Sequence, residues 1–101
     1  MAGFVKAARR GEIPEGGAKV VEAGGRTIAI FNAGGSFHAI DNACRHLGGP
    51  LGEGEVYGTR VICPWHGWEF DFTTGANVDD PAMRVGCFAV RLEGDDVLVE
   101  V

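Results

Sequence analysis

The chain has 101 residues, a net charge of −5 and three cysteines. That length holds one domain, with little room for both a substrate pocket and a cofactor. The acidic balance disfavours nucleic acid as a partner, and an odd cysteine count argues against a disulfide framework. No run approaches the roughly twenty apolar residues of a membrane span. The opening MAGFVKAARRGEIPEGG lacks the apolar stretch of a signal peptide, so the expected location is the cytoplasm, with no membrane partner.

Taken in chain order, VKAARRGEIP reads as a short turn stopped by Gly11 and Pro14. AKVVEA and RTIAIFNA flank Gly24-Gly25, and Gly34-Gly35 then leads into SFHAI, which together predict a pair of β-hairpins. EVYGTRVICP and WEFDFTTGANV predict further hairpins. In the second of these, Trp68, Phe70 and Phe72 alternate with Glu69, Asp71 and Thr73, the pattern of a half-buried strand. CFAVRLEGDDVLVEV reads as two strands around Gly94-Asp95, and the valines and Leu98 of the last one predict burial on both faces. No segment carries an apolar stripe at helical period. The expected class is all-β, an antiparallel sandwich or small barrel. From Ala43 to about Asn77 the composition changes, as if an insertion rode on a β framework.

That middle region holds the chemistry. ACRHLGGPLG places Cys44 two residues before His46; VICPWHGWEF places Cys63 three residues before His66. Two thiolates and two imidazoles can bind zinc or iron. A zinc finger usually draws its two cysteines from one element and its two histidines from another. Here each loop supplies one of each, which suits a two-iron cluster with cysteines on one iron and histidines on the other. A structural zinc clamp is the alternative, and colour separates the two.

CRHLGGPLGEGEV and CPWHGWEFDFTTG resemble the two cluster-binding loops of Rieske [2Fe–2S] proteins, and most closely those of the ferredoxin components of bacterial ring-hydroxylating dioxygenase systems. RTIAIFNAGGSFHAIDNACRH and PAMRVGCFAVRLEGDDVLVEV resemble the flanking segments, so the likeness spans essentially the whole chain. It implies a single Rieske domain over 1–101, with a cluster-binding subdomain at 43–79 inserted in a basal framework of 1–42 and 80–101. It implies one [2Fe–2S] cluster per chain, with Cys44 and Cys63 on the inner iron and His46 and His66 on the outer one. Gly48, Gly49 and Gly67 would let the backbone approach the cluster, and Trp65 would shield it. Pro81 resembles the proline segment that covers a third side.

The resemblance also implies a function: a one-electron carrier, not an enzyme, with no catalytic residues. It would take electrons from a flavin-dependent NAD(P)H reductase and pass them to a terminal, aromatic ring-hydroxylating oxygenase. A small Rieske subunit of a larger oxidoreductase, such as an assimilatory nitrite reductase, is the second reading. High-potential Rieske proteins carry a loop-to-loop disulfide and donate hydroxyl hydrogen bonds to the cluster. The matching positions here are Gly49 and Trp65, and Trp68 and Phe70, none of which can do either. Fewer donors stabilise the reduced state less, which places the potential near about −150 to −100 mV. Outside the motifs, Cys87 is expected to be a small buried hydrophobe, His38 a strand residue rather than a ligand, and Glu53 and Glu55 solvated charges at an acidic rim.

Overall fold

A computed structural model describes residues 3–43, 49–65 and 67–101. The described residues form eleven strands and two single-turn 3-10 helices, with every strand pair antiparallel. The strands are β1 (Phe4–Arg9), β2 (Ala18–Ala23), β3 (Arg26–Ala33), β4 (Ser36–Asp41), β5 (Glu55–Tyr57), β6 (Arg60–Ile62), β7 (Glu69–Asp71), β8 (Ala76–Asn77), β9 (Cys87–Phe88), β10 (Val90–Glu93) and β11 (Asp96–Glu100). They make three sheets, ordered β1-β11-β10, β2-β3-β4-β9 and β5-β6-β7-β8. The all-β class predicted from the pattern is what the chain adopts.

The second sheet is the shared wall. Because successive side chains on a strand point to opposite faces, Ile28 and Ile30 of β3 enter one core while Ala29 and Phe31 enter another. The first core lies against β1 and β11, through Ala8, Val97 and Val99. The second lies against the third sheet, through Val61, Phe70 and Phe72, and it includes Leu51 and Cys63. Residues 28–31 are all fully buried, which explains the unbroken apolar run IAIF.

Burial on both faces therefore belongs to β3 and not to the last strand. In β11, Val97 and Val99 are fully buried while Asp96, Leu98 and Glu100 are half-buried. β11 sits mid-sheet between β1 and β10, but only one of its faces meets a core. The run CFAVRL also divides differently from the expectation. Cys87–Phe88 pairs with β4 in the second sheet, and the chain crosses at Ala89 before Val90 joins β11 in the first.

The N-terminal segment is a strand and not only a turn. Phe4–Arg9 pairs with β11, and the expected turn occupies Arg10–Glu12. A bulge between Lys6 and Ala8 explains why alternation was invisible there: the extra residue breaks the period and turns Ala8 into the core. The two glycine-pair turns are as expected. Gly24, Gly25, Gly34 and Gly35 all have positive φ, the geometry of hairpin turns that follow the right-handed strand twist.

Since Phe31 is fully buried in the wall between the cores, Phe31→Ala is expected to cost about 3–5 kcal/mol in urea unfolding followed by circular dichroism. Val5→Ala, at a site 40% exposed, should stay within about 0.5 kcal/mol.

Candidate iron–sulfur centre

The first loop is closed at its base. β4 ends at Asp41, and beyond it Ala43 bridges Pro50 on the returning limb. The Leu51 N–H then donates to the Asn42 carbonyl at 2.7 Å. Leu51 opens the 3-10 turn Leu51–Glu53 and is fully buried in the second core, so the returning limb is anchored by apolar packing as well.

The second loop grows from the β6–β7 hairpin. Ile62 pairs with Glu69, and the Arg60 guanidinium meets the Glu69 carboxylate at 3.2 Å across the neck. Within the loop, the Cys63 N–H donates to the Trp68 carbonyl at 2.7 Å, and the Gly67 N–H donates to the Cys63 carbonyl at 3.0 Å. Gly67 has φ of +74°, a left-handed conformation that a β-carbon would strain. These two bonds draw Gly67 and Trp68 back onto the backbone of Cys63.

Cys63 is 2% exposed and packs in the second core with Leu51, Val61 and Phe70. It forms no disulfide. The two loops meet at its sulfur. A β-carbon built on Gly49 would lie 2.7 Å from Cys63 Sγ and 3.1 Å from the Trp65 ring. Glycine at 49 thus leaves room beside the thiol and lets the Trp65 ring lie against the first loop. Gly49 and Trp65, which the resemblance sets against the disulfide of high-potential proteins, lie side by side here as glycine and indole. The Trp65 ring is 58% exposed, so it caps this contact from the solvent side.

Of the four expected ligands, Cys63 is the one the structure describes; Cys44, His46 and His66 lie outside the described residues, as do Arg45 and Gly48. A third segment approaches the same end of the molecule. Gly67, Trp68, Asn77, Asp79, Asp80 and Met83 line a cleft of about 300 Å³. Asn77, 6% exposed, shapes this segment: its Oδ1 accepts the Asp79 and Asp80 N–H groups, each at 2.9 Å. Met83 faces the second loop across the cleft, whereas Pro81 is exposed. The family resemblance singled out the proline and missed Asn77 and Met83. An Asn-x-Asp run is a turn signal, and it was available to find the first of these.

Two other expectations meet the structure differently. Cys87 is exposed, not a buried hydrophobe; its Sγ faces the Thr73 carbonyl at 3.6 Å. β9 is the edge strand of its sheet, so one face of this residue has no sheet partner. His38 is half-buried on β4, with its ring 5.7 Å from that of Phe72, as suits a packing residue. Glu53 and Glu55 are exposed, as expected of solvated charges.

With this geometry in hand, the comparison with known proteins is decisive. The Rieske [2Fe-2S] domain family matches residues 3–91, and the chain belongs to that family. Its cofactor is one Rieske cluster per chain. The chain is 35% identical over 99 residues to the ferredoxin component of biphenyl 2,3-dioxygenase of Rhodococcus jostii, covering 97% of this chain and 92% of that protein. It is also 35% identical over 89 residues to human apoptosis-inducing factor 3, but there it spans only 15% of the relative's length. Among solved structures, the chain superposes with a TM-score of 0.86 and 28% identity on a chain from a complex of reduced oxygenase and oxidised ferredoxin in carbazole 1,9a-dioxygenase, covering 95% of this chain and 91% of that one.

Gly49→Ala forces the new methyl onto Cys63 Sγ and the Trp65 ring, and overpacking of this kind costs about 1–3 kcal/mol. A lowered urea midpoint is the expected result. Although the residue is exposed, partial desolvation of its sulfur holds the Cys87 thiol above its ordinary pKa, with Arg84 opposing the rise and Asp71 adding to it. The thiolate is the nucleophile, so alkylation of Cys87 at pH 8, read by mass spectrometry, should be slower than that of an unstructured thiol and should climb as pH rises.

Proposed function

We propose that the chain is a one-electron carrier serving a terminal oxygenase. Cys44 and Cys63 would hold one iron of the [2Fe–2S] cluster, and His46 and His66 the other. The observation that carries the reading is Cys63. A buried thiol without a disulfide, kept clear by a glycine from the facing loop, fits a thiolate ligand at the inner end of a cluster. The set of two thiolates and two imidazoles matches the donor chemistry of the family. When bound, the cluster takes up and releases a single electron.

This chain's own residues do the rest. The second core behind Cys63 excludes water from the cysteine end. Gly49 and Gly67 let the two loops close, and Trp65 covers their junction. The proposed division is a cluster-binding subdomain at 43–79 on a framework of 1–42 and 80–101. It is supported by the separate β5-β6-β7-β8 sheet, which packs on the second sheet through the second core. The proposed partners are a flavin-dependent NAD(P)H reductase upstream and an aromatic ring-hydroxylating oxygenase downstream, in the cytoplasm. In support, a relative is named as a dioxygenase ferredoxin component, and a similar chain has been solved in complex with an oxygenase. The described residues contain no helix long and apolar enough to cross a membrane.

The purified protein should be red-brown, contain iron and sulfide in equal amounts, and give a rhombic EPR signal on dithionite reduction. Its average g should lie below that of an all-cysteine cluster. The midpoint potential should fall at about −150 to −100 mV. A colourless, EPR-silent, zinc-containing protein would overturn the carrier reading. A midpoint above zero would overturn the argument from Trp68 and Phe70.

A further inference from the structure

Both flanks of the site converge on two adjacent residues that the sequence motifs do not include. Asp41 and Asn42 end β4 and begin the first loop. The Asp41 N–H donates to the Gly86 carbonyl at 2.9 Å, and the Gly86 N–H donates back to Asp41 Oδ2 at 2.9 Å. Asn42 makes three bonds: its N–H donates to the Thr27 carbonyl at 3.0 Å, its carbonyl accepts from Leu51 at 2.7 Å, and its Oδ1 accepts the Gly52 N–H at 2.8 Å. The first residue thus ties the segment after the Asn77 turn to the second sheet. The second ties the returning limb of the first loop to the same strand end.

Both side-chain bonds end on glycines, and each has a steric reason to. A β-carbon on Gly86 would stand 2.6 Å from Asp41 Oδ2. One on Gly52 would stand 3.0 Å from Asn42 Oδ1 and would run into Val20 Cγ2. Side-chain oxygens reach these backbone donors because nothing else occupies the space. Ordinary turn capping does not require that fit at two places from one dipeptide.

We propose that Asp41 and Asn42 are positioning residues of the iron–sulfur site, a double tether that fixes the first loop and the 79–86 segment to the end of β4. This rests on the carrier reading above and adds a role to it. An electron carrier must keep its ligand geometry nearly constant as the cluster charge changes, and partners behind the ligands do that work. The acceptor oxygen of Asn42 is the group that matters. Aspartate at 42 preserves that acceptor and alanine removes it.

The test uses the cluster-loaded protein. Asn42→Ala should broaden the EPR signal of the reduced state and hasten chelator-driven loss of the visible absorption about tenfold, as expected for one lost hydrogen bond with a stranded donor. Asn42→Asp should keep the lifetime within about twofold, while its added negative charge lowers the midpoint potential. Val99→Ala, in the first core, should lower the unfolding midpoint and leave the EPR line shape alone. The proposal fails if Asn42→Ala matches wild type in line shape and lifetime, if Asn42→Asp decays as fast as Asn42→Ala, or if Val99→Ala broadens the signal equally. Should Asn42→Ala not fold, hydrogen exchange on the wild-type protein decides: peptides covering 49–54 and 84–87 should exchange as slowly as β3, and fast exchange in either overturns the tether. Absence of a Rieske signal in wild type would instead reject the carrier reading itself.

Discussion

The parallel stack of Phe31 on Phe72, with centroids 4.4 Å apart and planes within 3°, is the contact on which the site's geometry depends. Phe31 belongs to β3, which is buried on both faces from Ile28 to Asn32; Phe72 directly follows β7, which descends from the second loop. The stack therefore joins the sheet that anchors the first loop to the sheet that carries the second. An aromatic pair of this kind adds about 0.5–1.5 kcal/mol beyond its area burial, and both rings are fully buried. Its larger effect is geometric. Two loops with separate origins must arrive at one point, and rings locked face to face leave their parent strands little freedom to slide.

The two cores divide the work. The first, around Ile28, Ile30, Val97 and Val99, contains none of the described residues of the cysteine–histidine motifs and can be read as framework. The second places Cys63 among Leu51, Val61 and Phe70. Burying a bare thiolate in such surroundings would be costly, and a metal-bound one relieves that cost because its charge is shared with iron. Imidazoles in place of two thiolates lower the total negative charge further. A mixed ligand set is thus physically suited to a centre whose cysteine end is set in an apolar core.

Much of this was legible in the sequence, for physical reasons. Hairpins announced themselves through Gly24-Gly25 and Gly34-Gly35, because only glycine takes two consecutive positive φ angles cheaply. Cys-x-His and Cys-x-x-His in separate loops announced the family, which the Rieske [2Fe-2S] domain match over residues 3–91 bears out. Features that depend on three-dimensional neighbours were not legible. Residues 28–31 read as a strand without revealing that each face meets a different core. The β1 bulge hid an alternating pattern, and Cys87 looked apolar although it lies on an edge strand. The tethers at Asp41 and Asn42 span 45 and 10 residues of sequence, and nothing local marks the glycine N–H groups that donate to them.

The potential of such a centre answers to two protein contributions that differ in kind. One is the hydrogen-bond inventory: neither Trp68 nor Phe70 carries a hydroxyl, and Phe70 is committed to the second core. Since Phe70 also helps hold Cys63, the site cannot gain a tyrosine hydroxyl there without placing a polar atom at the edge of that core. The other is charge: a chain of net −5 resists an added electron, and exposed Asp79 and Asp80 line the cleft beside Gly67 and Trp68. Mobile ions screen the second contribution and leave the first untouched. The proposed low potential would therefore be built mainly from what the core excludes, with the surface acids a salt-sensitive trim that also shapes which partner surfaces the carrier can approach.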